Sequence, residues 1–484
     1  MKKTYYSLFL FLLLASNKLL AQTAADTVNR NLTLQQCIEF ALRNQPAVRQ
    51  AAIDEQINER DIRIGLSGWL PQITTNGNYN HYFQSAARTL ATSGTTTSTG
   101  SGTGTGTNTG GSGTGTGTGG TTTGGSGTGT STTTPTSSIG GIAKNVTSVT
   151  FQASQTIYNN DVFLASRAAK YSRLYYKEGT EVSQIAVVAD VSKSFFDVLL
   201  SEKQLDILNE DIVRLQRSQK DALSRYQAGV SDKTDYKQAT ISLNNSIASR
   251  KQTEEAIKSK TAYLKEVMGL PGEKPLNLQY DSTRFVQEAV IDTNQTLNVE
   301  NRVEYRQLAA QKNLQLLNVS YYKYGWLPSL SAVGSYNMLY ANDHFSDQYN
   351  NNFPTSLVGL SLSLPIFTGT KRLQNLSKAR LQADRVDLDI LNTRNVINTE
   401  FVQAVASYKS NYTNWVLLKQ NVDLAKDVYH VVELQYREGI KTYLDVIVSQ
   451  ADLRTAELNY YNALFTLLSS KIDLQKALGI LPVR

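Results

Sequence analysis

The 484-residue chain has a formal charge of +7, three histidines and a single cysteine. One cysteine excludes an intrachain disulfide, and His81, His344 and His430 stand too far apart for a metal-ligand spacing, so no disulfide framework, metal centre or cofactor is expected. The positive surplus includes Lys2, Lys3 and Lys18 near the N-terminus and gathers into no basic cluster, which argues against nucleic acid as a partner.

Met1-Lys2-Lys3, followed by an apolar run from Tyr5 to Ala15, has the layout of a secretory signal peptide over residues 1–21, cut after Ala21. The rest of the chain is therefore expected to be exported. No later apolar run approaches the ~20 residues of a membrane-spanning helix, so any crossing of a bilayer has to be made by strands. Leu32, Leu34, Cys37, Ile38, Ala41 and Leu42 recur at helical spacing, which predicts a helix with Cys37 as a small core residue.

Further along, Gly68-Trp69-Leu70-Pro71 recurs as Gly325-Trp326-Leu327-Pro328, and the alternating residues behind each copy keep register: Ile73, Thr75, Gly77 and Tyr79 align with Leu330, Ala332, Gly334 and Tyr336. Val149, Phe151, Ala153, Gln155 and Ile157 likewise align with Val358, Leu360, Leu362, Leu364 and Ile366. The chain is a tandem duplication, with a first repeat over 22–271, a linker over 272–297 and a second repeat over 298–484. Strands are expected at about 71–84 and 146–158 in the first repeat and about 328–340 and 357–367 in the second. The first repeat alone carries an insertion, Thr92 to Ser138, made of Gly, Thr and Ser with one Pro and one Asn. It has no apolar side chains to offset ordering entropy and reads as a flexible loop.

Between the strands and each repeat's end run long helical patterns. Leu205, Leu208, Ile212 and Leu215 step by three, four and three, a coiled-coil seam, and no proline interrupts Asp161 to Gly229. Such a helix would span roughly 100 Å, on the scale of a bacterial periplasm. Each long pattern breaks at a recurrent turn: Arg225-Tyr226-Gln227-Ala228-Gly229 with Asp235 beyond it, and Gln435-Tyr436-Arg437-Glu438-Gly439 with Asp445 beyond it. Both read as tips of helical hairpins, each closed by a glycine of positive φ. On residue type alone, Asp235 and Asp445 are also helix-start acids that complement the dipole.

Four strands cannot close a membrane barrel, since single-chain barrels start at about eight strands and an open edge in lipid leaves backbone groups unsatisfied. Several chains must then share one barrel: a dimer, a trimer or more. No paired carboxylates in a polar loop, Ser/His/Asp set or phosphate-binding glycine loop supports an enzyme.

In this order, and twice over, these motifs resemble the TolC-like outer-membrane efflux proteins. Leu32 to Pro46 looks like that family's opening helix, Leu364-Pro365-Ile366-Phe367 its second strand exit, and Met268-Gly269-Leu270-Pro271 and Leu478-Gly479-Ile480-Leu481-Pro482 its helix ends. The resemblance implies a mainly α chain with a membrane β-barrel: a homotrimer in the outer membrane whose four strands per chain make a twelve-stranded barrel, and whose coiled-coil hairpins make a periplasmic tunnel. It implies an export duct of a tripartite efflux or type I secretion system, working with a periplasmic adaptor (membrane fusion protein) and an inner-membrane pump, with no catalysis of its own. It also implies tip roles. Asp445 would line the narrow periplasmic entrance. Tyr436, Lys441, Thr234 and Asp235 would link neighbouring hairpins and hold it shut, with Lys441 where an arginine is familiar. Gly229, Val230, Gly439 and Ile440 would face the adaptor. Val448 stands where some members carry a second acidic ring, so one such ring is expected. The competing reading, a secreted coiled-coil structural or adhesive protein, explains the helices but not the twofold strand pairs.

Overall fold

The computed structural model describes residues 32–83, 143–279, 282–292 and 295–482. The expected signal peptide (1–21) and the Gly/Thr/Ser insertion (92–138) lie outside the described residues. The chain divides into a helical unit and a strand unit.

The helical unit begins with α1, Leu34–Asn44, opened by a capping box in which the Thr33 and Gln36 side chains each accept the other's backbone N–H. Cys37 and Ala41 on its inner face are fully buried, as the spacing predicts. Burial pushes the Cys37 thiol up to about 12, which keeps it protonated and unreactive. After α2 (Pro46–Ser67) come two long hairpins: α3 (Asn160–Gln227) with α4 (Lys233–Met268), and α7 (Lys371–Arg437) with α8 (Tyr443–Leu478). Between them lie the short α5 (Ser282–Glu288) and α6 (Val303–Lys323). The arms match in length, 68 residues in α3 against 67 in α7 and 36 in both α4 and α8.

One large core joins the hairpins, built on Phe195, Phe196 and Leu199 of α3, Leu464, Phe465 and Leu467 of α8, and Phe285 of α5. From it a seam between antiparallel α3 and α8 runs toward the tips. Lys193 meets Asp473, Gln204 donates to Asn462 at 3.2 Å, and Ala222 packs near Tyr443. Of the predicted coiled-coil positions, Leu208, Ile212 and Leu215 are buried.

Four helix ends repeat one device. At Gly229, Gly269, Gly439 and Gly479 the chain turns left-handed, with φ between 70° and 74°. The N–H of each glycine and of the residue after it fold back on the last turn: Leu270 donates to the Lys265 carbonyl at 2.8 Å, and Ile440 to that of Gln435 at 2.8 Å. This is the Schellman arrangement, which satisfies carbonyls that a bare helix end leaves open. At Gly269 the turn also lies against the end of α1, where a Cβ would come 2.8 Å from the Asn44 carbonyl oxygen. The Met-Gly-Leu-Pro motif is thus a place where only glycine fits.

The strand unit is one antiparallel sheet in the order β1 (Gln72–His81), β2 (Asn145–Tyr158), β3 (Ser329–Asn342), β4 (Asn352–Ser363). The last strand differs from its expected span of 357–367. Pro365 has no N–H to continue the ladder, so Leu364, Ile366 and Phe367 lie beyond it. The strand starts earlier, at Asn352, and takes in Pro354, which an edge strand tolerates. Cross-strand register sorts the side chains onto two faces. One row reads Ile73, Ala153, Gly334, Val358, while a row on the opposite face reads Asn76, Thr150, Asn337, Thr355, with the Thr150 hydroxyl donating to Asn337 at 3.0 Å. Both hairpin connections fall at the same end of the sheet. There the Tyr79 hydroxyl donates to Asn145 at 3.0 Å, and Asn145 donates to the Asp343 carbonyl at 3.2 Å.

Candidate functional site: the hairpin tips

Both tips turn on the same backbone, but their second helices start differently. In the first, Asp232 caps α4 by accepting the Thr234 N–H at 3.3 Å, and no hydrogen bond of this cap uses the half-buried Asp235 carboxylate. In the second, Thr442 and Asp445 form a capping box. The Thr442 N–H and hydroxyl donate to one Asp445 carboxylate oxygen at 2.9 and 2.8 Å, and the Asp445 N–H donates back to the hydroxyl at 3.3 Å. The other oxygen faces the Lys441 ammonium at 3.9 Å. These bonds, the hydroxyl first and the backbone N–H second, hold the Asp445 carboxyl below the ordinary aspartate range and keep it ionised. Asp445 therefore serves as a helix-start acid whose second oxygen faces Lys441 at the tip.

Tyr436 lies at the junction of the two hairpins. Its ring sits 5.8 Å from that of Tyr443, which is buried, and the Arg225 guanidinium stands over it at 4.6 Å. Ala222, Ala239, Tyr236 and Ile447 complete the cluster. Burial raises the Tyr436 phenol above its usual value, so the hydroxyl stays neutral. Within the chain, then, Tyr436 meets the first hairpin through its ring and Arg225, and Lys441 turns to its own helix start. Thr234 and Asp235 lie at the start of α4 in the same tip region. Arg225 is a contact residue that sequence reasoning passed over, although it opens the first tip motif. At the extreme ends, Val230 and Ile440 follow the glycines 73% and 72% exposed, an apolar side chain offered to solvent at each tip.

Above the tips a second polar group escaped the sequence. Asp211 of α3 is 1% exposed and accepts hydrogen bonds from Ser246 of α4 at 2.8 Å, and from Gln450 and Arg454 of α8 at 2.9 and 3.1 Å.

The chain thus carries two repeated helical hairpins with matched turns and a four-stranded antiparallel sheet. The profile of the family described as "Outer membrane efflux protein" matches residues 120–270 and 288–480. The chain belongs to the outer membrane efflux protein family. Among relatives, it is 23% identical over 353 residues to "Outer membrane protein TolC" of Vibrio cholerae serotype O1, covering 70% of this chain and 77% of that protein. It is 23% identical over 336 residues to "Solvent efflux pump outer membrane protein SrpC" of Pseudomonas putida, covering 67% and 69%. Solved structures share the fold. The CmeC outer membrane channel of Campylobacter jejuni superimposes with a TM-score of 0.68 over 93% of this chain and 86% of that one, at 15% identity. The outer membrane protein VceC of Vibrio cholerae gives 0.67 over 92% and 96%, at 14% identity. As an outer membrane efflux protein, the chain is a component of an efflux path in the outer membrane, and its family is one of channels rather than enzymes. The secreted coiled-coil alternative gives way to this membership.

Proposed function

We propose that three copies of the chain form one duct, with a twelve-stranded barrel in the outer membrane and a periplasmic tunnel of coiled-coil hairpins. The observation that carries this reading is the sheet. Among the described residues β1 and β4 each pair on one side only, while one face is lined by residues such as Ile73 and Val358, 75% and 90% exposed. In lipid those two edges would leave N–H and C=O groups unsatisfied, so another copy has to pair with them. The helices support the same assembly: Leu381, Leu388, Leu417, Leu424 and Val431 of α7 lie exposed at near-heptad spacing, a stripe suited to a second copy.

In this duct the tips form the periplasmic entrance. Asp445 lines it, Tyr436, Lys441, Thr234 and Asp235 hold neighbouring hairpins together, and Gly229, Val230, Gly439 and Ile440 receive a periplasmic adaptor. The exposed Val230 and Ile440 supply an apolar contact for that adaptor. An inner-membrane pump supplies the energy, in a tripartite efflux or type I secretion system, and the duct itself carries out no chemical step. Light scattering on the protein purified in mild detergent should find a stable assembly of three chains. A monodisperse, folded monomer would remove the shared barrel.

A further inference from the structure

Along the α3/α8 seam, contacts above and below Asp211 differ in kind. Above it the hairpins are joined by the aromatic core and by the Gln204–Asn462 and Lys193–Asp473 pairs. Below it, over about 27 Å of helix, the small residues Ala222 and Ala239, the tyrosines Tyr236, Tyr436 and Tyr443, Ile447 and Arg225 make the contact. At the boundary Asp211 ties three helices at one point. Its carboxylate is met from its own hairpin by Ser246 and from the other by Gln450 and Arg454, and Arg454 also donates to the Ser246 hydroxyl at 2.8 Å. Arg214, one turn along α3, stands 3.9 Å from the same carboxylate. Pulling α8 away here would leave a buried charge without the donors that compensate it, which makes separation at this level costly.

The space beside Asp211 is nevertheless not filled by side chains. A cleft of about 80 Å³, partly open to solvent, lies there, lined by Leu215, Ser242, Asn245, Ile447 and Ala451 together with Asp211, Gln450 and Arg454. The Gln450 side-chain oxygen, Oε1, is buried there with no protein partner. The space accommodates about two waters, which gives the side chains of the knot alternative partners if they turn. A point that resists separation but permits reorientation has the properties of a pivot.

We infer that Asp211, held by Gln450 and Arg454, is the pivot of the entrance: the second hairpin turns about it, the seam above stays shut and the tips below part. Asp211 is thus a positioning residue for the gate, and the inference rests on the reading of the tips as an entrance.

Two cysteine pairs test it in the assembled protein in planar bilayers. The native Cys37 does not interfere, because its buried thiol is protonated. Gln204→Cys with Asn462→Cys, joined by a short bis-thiol reagent, bridges the seam above the pivot. Arg225→Cys with Tyr436→Cys bridges it below. The upper bridge should leave the open fraction within about twofold of the unbridged pair, while the lower bridge should reduce it at least tenfold, reversibly on reduction. Suppression by both bridges would show that the whole seam parts and would overturn the pivot. Absence of any effect from the lower bridge would overturn the entrance reading itself, so the two failures are distinguishable. Asp211→Asn, which keeps the shape and removes the charge, should let motion spread upward, so that the upper bridge now lowers the open fraction at least threefold. If the upper bridge stays without effect in that variant, Asp211 is a packing residue only.

Discussion

The Arg225 guanidinium lies 4.6 Å above the ring of Tyr436, joining the first hairpin to the second at the tips. A contact of this kind contributes about 0.5–1 kcal/mol where it is exposed and more where water is excluded, and three copies act together in a trimer. Arg225→Ala and Tyr436→Leu should therefore each raise mean single-channel conductance, and the double variant should add little to the larger single effect. Tyr436→Phe keeps the ring and should stay near wild type until Lys441→Ala is added. If Tyr436→Phe raises conductance as much as Tyr436→Leu does, the hydroxyl and not the ring makes the link.

Asp445 links the tip to pH. Its folded pKa is depressed, so the capping box contributes stability in full above the ordinary aspartate value of 3.8 and loses it as pH falls through the folded pKa. Hydrogen exchange over residues 440–448, corrected for intrinsic rates, should show protection falling as pH drops below about 4. Thr442→Ala should flatten that dependence and weaken the helix start by about 1 kcal/mol. A profile unchanged by Thr442→Ala would remove the capping box as its cause. Asp445→Ala should also weaken block by multivalent cations added on the tip side.

Removing Arg454 should cost more than removing both partners. Arg454→Ala leaves the Asp211 carboxylate buried with less compensation, at about 3 kcal/mol, whereas Asp211→Leu with Arg454→Leu replaces the pair by apolar packing and should be close to neutral. The temperature at which the oligomer dissociates in detergent, read for both variants, checks the order. The reverse order would mean that the pair stabilises the seam beyond what apolar packing supplies.

Two glycines in the same conformation should respond differently to alanine. At Gly229 nothing lies within 4 Å of an added Cβ, so only the positive φ is penalised, by about 1 kcal/mol. At Gly269 the same penalty is joined by a clash 2.8 Å from the Asn44 carbonyl oxygen, and Gly269→Ala should lower the dissociation temperature severalfold more than Gly229→Ala. Equal shifts would show that α1 moves aside without cost.

An epitope tag near Gly120 should be labelled on intact cells. β1 ends at His81 and β2 begins at Asn145, so the chain between them leaves and rejoins the sheet at the end that also carries the β3–β4 connection. Labelling only after permeabilisation would reverse the assigned orientation.

What the sequence discloses here is whatever repeats or alternates locally. The two tips, the glycine helix ends and the seam at Leu208, Ile212 and Leu215 rest on spacing and on residues with special backbone freedom. Asp211 does not, because it stands directly before Ile212 and reads as a solvated neighbour of the seam. Only the arrival of Gln450 and Arg454 from the other hairpin makes it a buried one. Arg225 was hidden in the same way, by a partner in the second repeat. The displaced β4 has a local cause: Pro365 stops the ladder, although the strong alternation through Leu364 and Ile366 continues past it in the sequence.

The closely matched arm lengths of the two hairpins, 68 against 67 residues and 36 against 36, constrain how such a chain can change. One residue added to α3 would move everything beyond it by about 1.5 Å along the axis and turn it by about 100° around it. Arg225 would then no longer stand over Tyr436. A compensating residue in α4 would restore the return path but not the match to α7 and α8, 67 and 36 residues long. Insertions and deletions in these arms are therefore tolerated as coordinated sets across all four helices, and the hairpins act as a ruler whose graduations are whole helical repeats.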